Sequence, residues 1–571
     1  MPVTRFTFAS VLYGAMLLVW AAPPVVAQSD PGAYLAARIA GSRDDHRQAA
    51  QWYTRALIAD GSNAFLMEGA ITAHVSAGNL DSAVAVARRM GQQAANPAQV
   101  AHLVLIADQA RRGDYRALLA DMAAGRSVGM LMDGLTRAWG QVGAGNMSAA
   151  LGEFDTIAKA PGLESFGLYH KALALASVGD FEGADDILSG RAGGEVRVMR
   201  RGVIAQAQIL SQIDKAPEAL ALLLRSFPGE VDPDIAAMKK ALAAGEALPY
   251  TAVRSATDGM AEVFFSLAAA LSGEASSGYT LLYARLAAWL RPDHSEAVLL
   301  AASLLENQRQ HDLAVETYAG IAATDGAHFA AQIGRARALQ ASGKTDPAIE
   351  VLRDLAVLHP DRLSVHVALG DALRRAERWD EAAEAMTQAI VVAGAPQADH
   401  WSIYYGRGIA NERRKAWDKA EPDFLKALEL NPDQPQVLNY LGYSWIDRGE
   451  RLTEALGMIE RAVAASPNSG YIIDSLAWGL FRLGRYDEAV EPMERASLLE
   501  PVDPVVTDHL GDVYWAVGRM MEARFQWRRA LSFNPEEKEA IRIRRKLEIG
   551  LDRVLAEDGE RPLHAAAGTG N

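Results

Sequence analysis

The chain has 571 residues, half of them apolar and 22% charged, with a formal net charge of -14 and a pI near 5.4. An acidic balance of that size repels phosphate backbones and argues against a nucleic-acid partner, while the apolar half supplies ample material for a core. Cysteine is absent, so a disulfide and a thiol nucleophile are excluded, and an exported form must be held by packing alone.

The first residues read as a targeting segment. Arg5 precedes an apolar run from Phe6 to Trp20, and Val25-x-Ala27 has the small-residue pattern of a cleavage site. The run is shorter than the roughly 20 residues of a membrane span. The expectation is a signal peptide over 1–27, cleaved near Ala27, with an uncleaved N-terminal anchor as the alternative. With no cysteine to lipidate, the mature chain from Gln28 is expected to be periplasmic, without an intrinsic membrane anchor, or else secreted further.

From residue 30 onward one pattern recurs with a period of about 34 residues, the length of a helix-turn-helix unit. Within it, small residues stand at positions 8, 20 and 27 and bulky ones at 4, 11 and 24, which lets paired helices approach while filling the space between them. The clearest unit starts at Pro504 and carries Leu510, Gly511, Tyr514, Gly518, Ala523, Trp527, Ala530 and Pro535. A degenerate array is expected over 30–228, with units from Asp30, Ala64, Gln99, Leu131, Ser165 and Arg200. Residues 229–260 break the register and read as an irregular junction, a hinge or a variant unit. Eight regular units are expected over 261–537, from Ala261, Ser295, Phe329, Leu363, Trp401, Pro435, Gly470 and Pro504.

After the last unit, a helix over 538–556 has the apolar stripe Ala540, Ile543, Leu547, Leu551 and Val554, as suits a cap on a repeat array. Its basic residues Arg542, Arg544, Arg545 and Lys546 read as a solvated face. The tail 557–571 has too little apolar content to fold and is expected to be disordered.

Catalytic constellations are missing from the sequence. The twelve histidines are scattered, with no His-Glu-x-x-His pair. Ser342 to Thr345 spell the end of a phosphate-binding loop, but Ala338 stands where its first glycine is required. Acidic pairs such as Asp380 with Glu381 and Asp487 with Glu488 open second helices, where carboxylates meet the helix dipole. An enzyme site in the irregular segment would have to use "PYTAVRSATDG", which lacks a nucleophile and base. No enzyme activity, cofactor or metal is expected.

The repeats resemble the tetratricopeptide family over nearly the whole mature chain. "NYLGYSWIDRG", "DSLAWGLFRLGRYDEAVEPMERA" and "DHLGDVYWAVGRMMEARFQWRRAL" are similar to the C-terminal repeats of exported bacterial tetratricopeptide proteins. That group is similar to an outer-membrane lipoprotein adaptor of a carboxyl-terminal processing protease and its cell-wall hydrolase substrates. The resemblance implies an all-α, right-handed superhelical solenoid and a noncatalytic envelope scaffold that binds a protein or peptide partner, a processing protease or a cell-wall hydrolase among them. The absent cysteine departs from the lipoprotein.

In that family, positions 2, 5, 9, 12 and 13 of each unit face the concave groove. The resemblance therefore assigns Tyr405, Tyr443, Tyr471, Asp474, Trp478, Phe481, Arg482, Asp508, Asp512 and Trp515 to a partner-binding strip, aromatic rings interspersed with charge. The alternative for the rings is burial against the next repeat. Tyr404, Trp445, Tyr514 and Trp527 fall on structural positions, and Trp379, Trp417 and Tyr486 at inter-helix turns are expected in the core. A second functional class, a self-associating structural or assembly protein of the envelope, fits the same pattern. Stability is expected to be distributed along the array, the degenerate units opening first.

Overall fold

The computed structural model describes residues 30–560, apart from 94–97, 195, 197–198 and 229–232, together with Leu563. The expected signal peptide 1–27 and most of the expected tail lie outside these residues. All regular structure among them is helical, and the chain divides into two compact units, Met1–Ser342 and Gly343–Asn571. That division falls inside the array expected from residue 261, and not at 229–260.

The first unit pairs α1 (Pro31–Ser42) with α2 (His46–Ala59), α3 (Ala64–Ala77) with α4 (Leu80–Gln93), and α5 (Gln99–Arg111) with α6 (Tyr115–Ala123). Next come α7 (Met130–Gly143) with α8 (Met147–Ala158), α9 (Glu164–Ser177) with α10 (Phe181–Leu188), and α11 (Arg200–Gln212) with α12 (Ala216–Ser226). It continues through α13 (Pro233–Ala243), α14 (Ala256–Leu271), α15 (Ser277–Leu290), α16 (Ser295–Asn307), α17 (His311–Ala319) and α18 (His328–Ala341). The second unit holds α19 (Thr345–Leu358), α20 (Leu363–Arg375), α21 (Trp379–Ala393), α22 (Trp401–Arg413), α23 (Trp417–Leu430), α24 (Pro435–Arg448) and α25 (Leu452–Ala465). It ends in α26 (Gly470–Arg482), α27 (Tyr486–Leu499), α28 (Pro504–Ala516), α29 (Met520–Leu531), α30 (Glu537–Ile549) and α31 (Leu551–Glu557).

Local chemistry sets these boundaries. Asp30, Asp45, Asn63, Asp114 and Asp180 each accept a hydrogen bond from a backbone N–H of the helix that follows, satisfying donors the first turn leaves free. The small residue at position 8 has a direct steric cause: a Cβ on Gly511 would lie 2.4 Å from the Trp527 ring that packs across the hairpin. Trp527, Trp445 and Phe424 are fully buried on their helices, and each hairpin packs mainly on its neighbours.

The first unit departs from a simple open array. Helices α14 and α15 pack on α3, α5, α7 and α9, which are first helices of their hairpins and so the inner wall of the repeat pattern. Residues Asp258 through Ala268 of α14 are buried without interruption, the signature of a helix enclosed on all sides. A Cβ at Gly259 would come within 2.3 Å of the Trp139 ring on α7, so glycine is what admits the helix to this depth. One apolar core runs continuously from Met67 on α3 to Ala338 on α18.

Polar groups on the inserted helices are matched by the wall. Glu262 on α14 is buried and meets Arg201 Nε at 2.6 Å, Tyr169 Oη at 2.9 Å and His294 Nε2 at 3.3 Å. His170 joins Trp139 Nε1 at 3.2 Å to Ser266 Oγ at 3.1 Å, and Tyr115 Oη lies 2.7 Å from Thr257 Oγ1. Burial opposes the charge on Glu262, but Arg201 and His294 outweigh it and hold the carboxyl well below the usual range.

The segment expected to be an irregular junction contains α13 and an extended stretch whose backbone is tied to α11. Ser211 Oγ accepts from Leu248 N at 2.6 Å, Gln208 Oε1 accepts from Thr251 N at 3.0 Å, and the Ala252 carbonyl accepts from both Arg201 and Arg291. Ser255 caps α14 and Arg254 pairs with Asp258 at 2.7 Å. The polar residues of "PYTAVRSATDG" are thus engaged in holding the inserted helix.

Candidate partner-binding site

The expected strip lies on α22, α24, α26 and α28, and the structure divides it. On α26, a spacing of four and then three residues places Asp474, Trp478 and Phe481 on one face. The Trp478 ring stacks on Phe481 at 4.9 Å and 12° and on His509 of α28 at 4.1 Å and 15°. With 8% of its surface exposed, Trp478 does not project freely into a groove, which corrects the expectation. The cause is His509, whose Nδ1 is held 3.0 Å from Asp474 Oδ1 so that the imidazole lies flat on the indole.

The next hairpin is closed by α30 and α31. Lys546 on α30 is fully buried, its Nζ 2.7 Å from both Asp508 Oδ2 and Asp512 Oδ2, while Trp527 Nε1 donates to Asp512 Oδ1 at 2.9 Å. Trp515 is half-buried, 5.2 Å from the Trp527 ring, and donates its Nε1–H to Asp552 of α31 at 2.7 Å. Asp508, Asp512 and Trp515 are therefore spent on the cap. Reading Lys546 as part of a solvated face is corrected as well, whereas Arg544 and Arg545 are exposed. The cap is two helices broken at Gly550; Ala540, Ile543, Leu551 and Val554 are buried, and Leu547 half-buried.

Electrostatics follow burial. Burial raises the Asp512 carboxyl and Asp508 adds to it, more than Lys546 takes back. Burial would lower His509, but Asp474, and beyond it Asp508 and Asp512, hold it above its ordinary value. Burial pushes Tyr443 up to about 12.

Tyr405 and Tyr471 lie apart from this closed region, whereas Tyr443 packs against its edge. Tyr405 is half-buried at 6.0 Å from Tyr440 in an edge arrangement, in the apolar cluster centred on Phe424 and Trp445. Tyr443 is half-buried between hairpins. Tyr471 is 56% exposed, its Oη 3.3 Å from Asp503. Phe481 is buried, and Arg482 reaches Glu560 at 3.5 Å, beside Tyr486, whose Oη donates to the Leu563 carbonyl at 2.5 Å. The turn residues expected in the core are half-buried instead: Arg413 lies over Trp379 at 5.8 Å and Arg448 over Trp417 at 4.9 Å.

His509, Lys546 and Leu563 were not among the expected site residues. A signal existed for the first: Asp474 and His509 are one repeat apart, which places a carboxylate and an imidazole on adjacent first helices. For Lys546, a single cation on an otherwise charged helix face gives no such sign. Among the described residues no group of three or more His, Asp or Glu is arranged to hold a metal ion.

Comparison with known proteins agrees with the hairpin geometry. Residues 333–399, 367–435 and 416–470 match the family model described as tetratricopeptide repeat. The TPR repeat-containing protein PA4667 of Pseudomonas aeruginosa is 26% identical over 210 residues, 37% of this chain and 35% of that protein, so the match spans about a third of the relative. A tetratricopeptide repeat protein from Parabacteroides merdae aligns at 15% identity over 45% of this chain and 98% of its own, with a TM-score of 0.38. Yeast Tom70 aligns at 14% identity over 93% of this chain and 99% of its own, with a TM-score of 0.34. Residues 333–470 thus match tetratricopeptide repeats, and the helices on either side of them are paired in hairpins in the same way.

Proposed function

We propose that the protein is a noncatalytic periplasmic adaptor that presents a protein or peptide partner to an envelope protease of the carboxyl-terminal processing class or to a cell-wall hydrolase. The tetratricopeptide array itself marks a protein-interaction scaffold. Export rests on the apolar run Phe6 to Trp20 and the Val25-x-Ala27 site, and the envelope partners on the similarity of residues 439–531 to exported repeat proteins.

The observation that carries the binding role is the state of the first helices in the second unit. On α20 and α22, Tyr405, Asp371 and Arg374 are half-buried and Arg375 and Arg413 exposed, so part of each remains accessible. On α28 the equivalent residues are consumed by α30 and α31. A partner is therefore read by the earlier hairpins of the unit. Crosslinking in cells followed by affinity capture of the mature chain tests this. Recovery of a processing protease or cell-wall hydrolase, lost on Arg375→Glu with Arg413→Glu, is the expected result. A cytoplasmic location, or capture indifferent to those changes, would overturn it.

A further inference from the structure

Beyond α31, Glu560 and Leu563 make a further contact with α26 and α27. After α31 the backbone turns at Gly559, and Glu560 Oε2 reaches Arg482 at 3.5 Å. Leu563 then buries its side chain, 6% exposed, in the apolar cluster that contains Trp478 and Phe481. Its carbonyl accepts the Tyr486 hydroxyl at 2.5 Å, and Tyr486 meets Phe481 edge-on at 5.3 Å. Arg482 ends α26 and Tyr486 opens α27, so both polar anchors come from one turn of one hairpin.

We propose that this turn is a peptide-docking site, taking a segment that carries a carboxylate three residues before a leucine-like side chain, and that Glu560 and Leu563 of the chain occupy it in cis. The site reads three things. Arg482 reads negative charge, the cluster around Phe481 reads one branched apolar side chain, and Tyr486 reads a main-chain carbonyl, which every peptide possesses.

The chemistry fits an exchangeable occupant better than a fixed part of the core. Half-exposed ion pairs and single hydrogen bonds are individually weak, and among the described residues it is Glu560 and Leu563 that they join to the hairpin. By contrast, α30 is locked by the fully buried Lys546. A tethered segment competes at a high effective concentration, so a partner of the same chemistry must bind in place of it. The inference rests on the partner-binding reading of the repeats and supplies the chemistry of one partner segment.

The test uses purified components, so its failure is distinct from a failure of capture in cells. A fluorescent peptide with the sequence of residues 559–571 is titrated into the mature chain, into a chain ending at Gly559, and into the full-length double variant Glu560→Lys, Leu563→Asp. Binding to both altered chains should be at least about tenfold tighter than to the unaltered one, because the cis competitor is gone. A peptide with Leu563→Asp should not bind. Arg482→Glu in the double variant should abolish binding of the normal peptide and restore it for a peptide with Glu560→Arg. Equal binding to all three chains, or binding that ignores Leu563→Asp, would overturn the proposal. So would the absence of binding to a double variant whose melting matches the unaltered chain.

Discussion

The two compact units are built from the same hairpin and dispose of its inner face in different ways. In the first, α14 and α15 fill the inner wall formed by α3, α5, α7 and α9, and one core extends from Met67 to Ala338. In the second, apolar cores form successive clusters along the hairpins, and among the described residues the covering elements are α30, α31 and Leu563 at its C-terminal side. A repeat array is a surface before it is a function: covered by its own chain it becomes a closed body, and left open it remains available to partners.

The largest expected effect breaks the closed unit from inside. Glu262→Ala should cost about 5 kcal/mol, because it leaves Arg201 and His294 facing each other without their shared carboxylate. Chemical denaturation should show this loss in the first unit alone. Slightly smaller, Trp478→Ala should cost about 3 to 5 kcal/mol in the second unit, and Trp527→Ala about the same, since both rings are buried. A melt of Trp478→Ala like that of the unaltered chain would contradict the stacked arrangement with Phe481 and His509.

Protonation sharpens the comparison because the two units should respond with opposite sign. His170 is lowered to about 4 by burial, and burial also lowers His46 and His74. The folded first unit then binds fewer protons than the unfolded chain, so its stability is lost as pH falls from about 6.5 toward 4, with His170 contributing about 3 kcal/mol. His509 is raised, so its contribution to the second unit is present below about pH 6.5 and lost as pH rises through its folded value. The cysteine-free sequence allows labelling of single cysteines introduced at Ala172 and Ala477, both fully buried, to read each unit separately. The smallest effect belongs to Tyr471→Ala, within about 0.5 kcal/mol on a melt, because the ring is mostly solvent-exposed.

Much of the fold was legible in the sequence. First helices begin at Ala64, Gln99, Arg200, Ser295, Leu363, Trp401, Pro435, Gly470 and Pro504, where the 34-residue pattern starts its units, because small and bulky positions follow from hairpin packing alone. The insertion of α14 was not legible: its continuous apolar run is read as another repeat, and only Gly259 hints at the close approach to Trp139. The site was legible in part. Register placed Asp474, Trp478, Phe481 and Asp512 on adjacent helix faces, but whether such a face meets solvent depends on Lys546, Asp552 and Leu563, which lie tens of residues away in sequence.

Hydrogen exchange resolved along the chain tests the contrast between a closed and an open array most directly. Amides of α3, α5, α7, α9, α14 and α15 should exchange together, with one opening free energy, while those of the second unit should grade from fast in α19 to α21 toward slow in α26 to α29. Early opening of the first unit hairpin by hairpin, with α14 exchanging independently of α7, would contradict it.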